Sequence, residues 1–153
     1  MDSILIDNKN IQDRIIQLFS STDAHHWDAV RACFANEVLL DYSSMTGEAA
    51  AQLTPQAITD AWSAFLPGFD HTFHALSNFQ IEIKGNEAIA RHAGRAEHYI
   101  ASEGDNLWVV VGLYEHHLIR TASGWQIDQM RFDFKYMTGN ASLPEIAQNK
   151  QQK

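Results

Sequence analysis

The sequence predicts an α+β fold, with helices first and a long antiparallel meander after them. Three observations carry this. Up to Phe65, apolar residues recur at three- and four-residue steps; after Gly68, four long β-forming segments follow; and short turn signals separate those segments. Strands joined by short turns are antiparallel. An open sheet of this length has one face that the helices must cover.

In "IQDRIIQLFSSTD", Ile11, Ile15, Leu18, Phe19 and Thr22 share one face and predict an amphipathic first helix. "HHWDAVRACF" repeats the pattern through Trp27, Val30 and Phe34 in a short second helix. "EVLLDYSSM" reads as a strand running into a loop. "LTPQAITDAWSAFLPGF" opens a further helix with Thr54 as N-cap and Pro55 at the first helical position. That helix continues through Ile58, Trp62 and Phe65 and stops before Pro67-Gly68. The turns of the β half are Lys84-Gly85-Asn86, Glu103-Gly104-Asp105-Asn106 and Thr121-Ala122-Ser123-Gly124. In "FDHTFHALSNFQI", His74 shares a face with Thr72 and Leu76, but from Phe79 onward the apolar residues fall on odd positions. That change of phase predicts a β-bulge near Ser77-Asn78. One domain over residues 1–141 is expected, with a flexible C-terminal tail at 142–153.

Composition narrows the partners. The 153 residues are 45% hydrophobic and carry a net charge of −8, so the chain should fold around its own core and repel phosphate backbones and anionic membranes. Nucleic acid and membrane are therefore not expected as partners. Cys33 is the single cysteine, which excludes an internal disulfide and fits a reducing compartment. The start, "MDSILIDNKN", has no basic segment followed by an apolar one, and no apolar run approaches the roughly 20 residues of a membrane span. A cytoplasmic location is the expectation.

The segment "NEAIARHAGRAEHYI" points to a cavity. Its odd positions include Glu87, Arg91, Arg95 and Glu97, while its even positions are Ala88, Ala90, His92, Gly94, Ala96, His98 and Ile100. Side chains alternate faces along a strand. One face is thus charged and the other small, interrupted by two imidazoles. Either the small residues leave room into which His98 points, or they accommodate a large side chain and His98 is a core histidine. His71 and His74 lie on opposite faces, and neither a strand HxH nor a helical HxxxH occurs, so no metal site is expected. The adjacent pairs His25-His26 and His116-His117 read as surface or interface residues. Asp23 follows Phe19 by four residues and so lies on the core stripe of the first helix. It either caps the next helix or holds an imidazole by one ring nitrogen, leaving the other to take a proton.

The order "TDAHHWDAV … EVLLDYSS … HTFHALSNF … GRAEHYI … GLYEHHLIRTASGWQI" resembles the SnoaL-like group of the NTF2-like (cystatin-like) superfamily. Within it the pattern is similar to scytalone dehydratase, with bile-acid dehydratase as a cousin. The resemblance implies a cone in which N-terminal helices pack on a curved, mostly antiparallel sheet. It implies catalytic roles for Asp23 at the end of the first helix, His74 in Thr72-Phe73-His74, His98 near the end of the next strand, and Tyr42 after Asp41. Those dehydratases carry a second Tyr directly before the helix Asp. Thr22 stands there, leaving Tyr42 alone or with Tyr114 from across the cavity.

The expected activity is that of a cofactor-independent hydro-lyase on a small cyclic or polyketide-like hydroxy-carbonyl compound held in an internal cavity. His74, oriented by Asp23, would take a proton α to the carbonyl. His98 would donate a hydrogen bond or assist the leaving hydroxyl, and Tyr42 would stabilise the enolate. Trp62, Phe65, Leu113, Tyr114 and Met130 are the expected substrate-binding walls. The same dyad would also serve an isomerase or cyclase, and a non-catalytic binding or assembly module is the alternative from another class. By resemblance a homodimer is expected, through outward residues such as Arg91, Arg95, Tyr99, His117 and Ile119.

Overall fold

A computed structural model of the chain describes residues 2–151. The first helix, α1 (Ser3–Asp23), begins where the Asp2 carboxylate accepts the backbone N–H of Ile4, a side-chain N-cap. After it come α2 (Trp27–Arg31), β1 (Phe34–Asp41), a single turn α3 (Ser43–Thr46), β2 (Ala51–Leu53) and α4 (Pro55–Phe65). As expected, α4 starts with Thr54 accepting from the Ala57 N–H and Pro55 in the first turn, and it gives way to a 3₁₀ turn at Leu66–Gly68. The meander follows as β3 (His71–Lys84), β4 (Glu87–Tyr99), β5 (Leu107–Thr121) and β6 (Gly124–Gly139), and α5 (Leu143–Gln151) closes the described chain. No helix is long and apolar enough to cross a membrane, among the described residues.

The six strands form one sheet in the order β2-β1-β6-β5-β4-β3. Every pairing is antiparallel except β1 with β6, where the chain has returned from the helical half. β1 starts at Phe34, which the periodicity assigned to the second helix and which lies three residues before the expected strand, because Phe34 is buried and pairs with Ile127. β2 was not legible at all, since three residues are too short to show a period. The bulge in β3 lies where the change of phase puts it. The β3–β4 register shifts between Ser77 and Gln80, and Asn78 has φ 59°, the left-handed region that Asn tolerates.

The chain end departs from expectation. Residues 143–151 are helical, and Leu143 and Ala147 are buried against the 3₁₀ turn instead of fraying. The approach is close: a Cβ on Gly68 would lie 2.2 Å from the Ala147 carbonyl oxygen, so only glycine fits there.

Packing divides the interior into two ends. At one end Ile11, Ile15 and Leu18 of α1 pack with Val38, Leu118, Ile127 and Met130, all without exposed surface. Full burial of each such side chain is worth about 1.5–3 kcal/mol. At the other end, beyond Phe19, the same helix and strands separate and leave a hollow. The sheet's inward glycines shape this transition. Gly94 and Gly112 are cross-strand partners, and a Cβ on either would fall 2.4 Å from the Tyr114 ring or 2.5 Å from the Phe132 ring and the Asp133 carbonyl. The rings of Tyr114 and Phe132 therefore lie flat across the glycines.

Candidate active site

Asp23 is the last residue of α1, directed at the start of β3. Its carboxylate does not cap α2, whose N-cap His26 makes no side-chain bond. Instead it accepts three hydrogen bonds from β3: the Thr72 hydroxyl at 2.9 Å, the His74 backbone N–H at 2.8 Å and His74 Nδ1 at 2.7 Å. Thr72 and His74 share a strand face, so one carboxylate reaches both. Because a carboxylate only accepts, His74 carries its neutral-state proton on Nδ1, and Nε2 is left as a lone pair. Phe19 packs against the imidazole at 5.1 Å between ring centroids and restricts its rotation. The pair is largely sheltered, with 12% and 16% of the His74 and Asp23 side chains exposed.

His98, on the inward face of β4, lines the same hollow. Its Nδ1–H donates to the Trp108 carbonyl of β5 at 3.0 Å, so in the neutral ring Nε2 is an acceptor. Burial lowers its pKa from 6.5 to about 4, only partly offset by that bond. This corrects the expected role. A neutral His98 has no cavity-facing proton to donate; it can accept a hydrogen bond from a ligand.

Tyr42 follows β1, and Tyr114 reaches over Gly94 from β5; both line the hollow. Enclosure of their hydroxyls pushes both pKa values above the ordinary tyrosine range, and each hydroxyl also feels the other. They remain neutral hydrogen-bond donors at any physiological pH. Tyr114 thus stands with Tyr42, as the resemblance allowed, while Thr22 spends its hydroxyl on the Leu18 carbonyl within α1.

The hollow has a volume of about 250 Å³. Trp62 and Phe65 of α4 line it together with Phe19, Trp108 and Phe132. Its lining includes no Lys, Arg, Asp or Glu among the described residues. An apolar hole of this kind with a few convergent polar atoms has the character of a small-molecule site. Among the described residues, no three His, Cys, Asp or Glu side chains converge as a metal ion would require.

Two expected wall residues are elsewhere. Leu113 points out of the sheet and is 47% exposed, because its neighbour Tyr114 takes the inward direction. Met130 does point inward but pairs with His116 at the filled end, where it is core. His116, expected at a surface, is fully buried; His117 takes the outer position with Asp128 and Glu87. Sequence reasoning also missed Thr72 as a partner of Asp23 and Trp108 as a wall. The first was visible in its parity with His74; the second needed the β4–β5 register that pairs His98 with Trp108.

The SnoaL-like domain family matches residues 3–131, a span from the first helix through the first half of β6 that includes Asp23, Tyr42, His74 and His98. The chain belongs to this family. Among curated proteins none matches it. Solved structures establish the NTF2-like fold of this SnoaL-like chain. The Kfla4162 protein from Kribbella flavida superposes with a TM-score of 0.88 at 24% identity, covering 93% of this chain and 99% of that one. A candidate scytalone dehydratase from Novosphingobium aromaticivorans gives 0.76 at 18% identity, covering 90% and 89%. The hexachlorocyclohexane dehydrochlorinase LinA-type3 from Novosphingobium barchaimii gives 0.75 at 13% identity, covering 90% and 92%.

Proposed function

We propose that this SnoaL-like chain is a cofactor-independent hydro-lyase that dehydrates a small, neutral, cyclic β-hydroxy ketone. The observation that carries the reading is the His74–Asp23 pair at the wall of an otherwise apolar hollow. Asp23 holds Nδ1–H, which leaves Nε2 as a base at the cavity and provides a counter-charge for the imidazolium that forms on protonation. An apolar lining without cationic side chains favours an uncharged substrate.

In this mechanism His74 Nε2 takes the proton from the carbon α to the carbonyl, and the C–H electron pair moves onto the carbonyl oxygen. Tyr42 and Tyr114 donate hydrogen bonds to the resulting enolate. The enolate then collapses to a double bond between the α and β carbons, and the bond from the β carbon to its hydroxyl breaks. The departing oxygen takes the proton back from the His74 imidazolium and leaves as water. The products are an enone and water, and the site returns to its starting state. Only His74 need transfer a proton, consistent with the neutral state of His98.

The test is dehydration of cyclic β-hydroxy ketones, headed by β-hydroxycyclohexanone, followed by the appearance of the conjugated enone. His74→Ala should reduce turnover about 10²–10⁴-fold, the usual worth of a positioned base. If no member of the series is dehydrated, or if His74→Ala works as well as the wild type, the reading fails. We also propose that the chain acts as a homodimer through the outer sheet face. There Phe73, Leu113 and Tyr136 are 60%, 47% and 52% exposed, and sedimentation of the wild type should show twice the chain mass.

A further inference from the structure

Residues 42–50 leave the sheet after β1 and rejoin it at β2, and Tyr42, Met45 and Thr46 among them line the hollow. The β1–β6 ladder ends at Asp41 and Arg131, and the segment beyond has no strand partner. Its one helical turn, α3, is closed by backbone bonds from Met45 and Thr46 to the Tyr42 carbonyl and from Gly47 to Ser43. A turn this short has no stability of its own, because nucleating a helix fixes several residues for each bond gained. Most of its side-chain bonds are equally local. The Asp41 carboxylate accepts the Ser43 N–H, while the Thr46 hydroxyl donates to the Tyr42 carbonyl and accepts the Glu48 N–H.

Ser44 is the exception. Its hydroxyl donates to the Phe132 carbonyl at 2.8 Å and accepts the Phe134 N–H at 2.9 Å, so one side-chain oxygen gives β6 the donor and the acceptor that a paired strand residue would give. Among the described residues, Ser44 makes the only side-chain hydrogen bonds between residues 43–49 and a distant part of the chain. Tyr42 stands between the last rung of the ladder and this anchor. It is the N-cap residue of α3, and its ring lies 5.6 Å from the ring of Phe132, whose carbonyl Ser44 holds. Whatever fixes α3 on β6 therefore also fixes Tyr42 in the wall of the hollow.

We propose that Ser44 is a positioning residue, which pins α3 to β6 and thereby aims the Tyr42 hydroxyl at the carbonyl of a ligand in the hollow. The use of that hydroxyl on an enolate rests on the hydro-lyase reading above; its use on a neutral carbonyl does not. A hydrogen bond weakens steeply when its donor swings off line. Released from β6, a turn without stability of its own lets Tyr42 swing. The Ser44 tether turns that surface segment into a fixed wall, and Tyr42 is the group through which it acts.

The experiment follows the binding of cyclohexanone to the full chain by calorimetry and by the ring signals of the four tyrosines, selectively labelled and assigned. Ser44 lies at the surface, so Ser44→Ala removes its hydroxyl and leaves the core untouched. It should weaken cyclohexanone binding about tenfold, the usual worth of one hydrogen bond, and Ser44→Thr, which keeps the hydroxyl, should restore it. In a Tyr42→Phe background Ser44→Ala should cost nothing further, because a residue that acts through another is not additive with it. Cyclohexanone should shift the Tyr42 signal in the wild type and in Ser44→Thr, but not in Ser44→Ala. A role confined to stability would weaken binding equally in both backgrounds. That result overturns the proposal, as does a Tyr42 signal that responds alike with and without the Ser44 hydroxyl, or a wild type that does not bind cyclohexanone. Because these are binding readouts, the two proposals fail separately. Coupling of Ser44 to Tyr42 with no enone formed from β-hydroxycyclohexanone sinks the hydro-lyase and supports the tether; enone formed with additive losses sinks the tether alone.

Discussion

Two pairs of inward-facing histidines occupy the two ends of one interior, and their surroundings give them different chemistry. At the filled end His92 and His116 stack at 5.0 Å, satisfy one another through Nε2, and have Phe19 and Tyr114 against them. At the hollow end His74 and His98 share a cavity wall, and each is fixed through Nδ1, one by a carboxylate and the other by a carbonyl. Both pairs point inward from the same sheet. What separates them is Asp23 and empty space. Without a carboxylate, burial disfavours the charged form of an imidazole; at His74 the Asp23 carboxylate occupies Nδ1 instead.

The largest effect should follow from removing that carboxylate's charge. Asp23→Asn keeps the size of the side chain but gives the His74 imidazolium no counter-charge, so turnover of the hydroxy ketone should fall by about 10²–10⁴-fold. The double variant His92→Phe/His116→Leu should by contrast leave turnover within a few-fold, because both members of a mutually hydrogen-bonded pair are replaced by apolar groups. Steady-state rates of the two variants break the comparison if they fall alike.

Next comes acid stability. His92 and His98 titrate near 4 in the folded chain against 6.5 when unfolded, because burial disfavours their charged forms. Between those values the unfolded chain binds more protons than the folded one, so stability falls as pH falls. Above 6.5 both states are neutral and the full stability is present. Each histidine should remove up to about 1.4 kcal/mol per pH unit within that window. Denaturant titrations from pH 7 to 4 should show the loss, and the double variant should show a smaller one.

Gly94→Ala should be felt at both ends, since its Cβ would meet the Tyr114 ring at 2.4 Å and force it off β4. A cost of about 1–3 kcal/mol in thermal stability, together with weaker turnover, is expected. The smallest effect belongs to Glu103→Gln in the exposed turn between β4 and β5, with stability within about 0.5 kcal/mol of wild type and turnover unchanged in the same assays.

Local patterns were legible. The strict alternation of β4 assigned every residue from Glu87 to Tyr99 to the correct face, and the phase change around Ser77 located the bulge. Thr54 and Pro55 announced α4 because a cap and a first-turn proline act within a single turn. The candidate site was legible in part through family resemblance, which singled out Asp23, Tyr42, His74 and His98. Leu113 and Tyr114 could not both face the hollow, since adjacent strand residues point opposite ways. Met130 had the right direction but the wrong depth, and depth along a strand depends on which residue of the neighbour it meets.

The amino-acid order by itself determined α1, α4 and the four strands of the meander, the inward face of β4, and the placing of Asp23 on the buried stripe of α1, because each depends on neighbours a few positions away. Tertiary structure alone decided that Asp23 meets Thr72 and His74, that His98 Nδ1–H donates to the Trp108 carbonyl, and that α5 packs on Gly68. Those contacts join segments far apart in the chain, and a histidine's tautomer is set by whichever acceptor the register of two strands brings to its Nδ1.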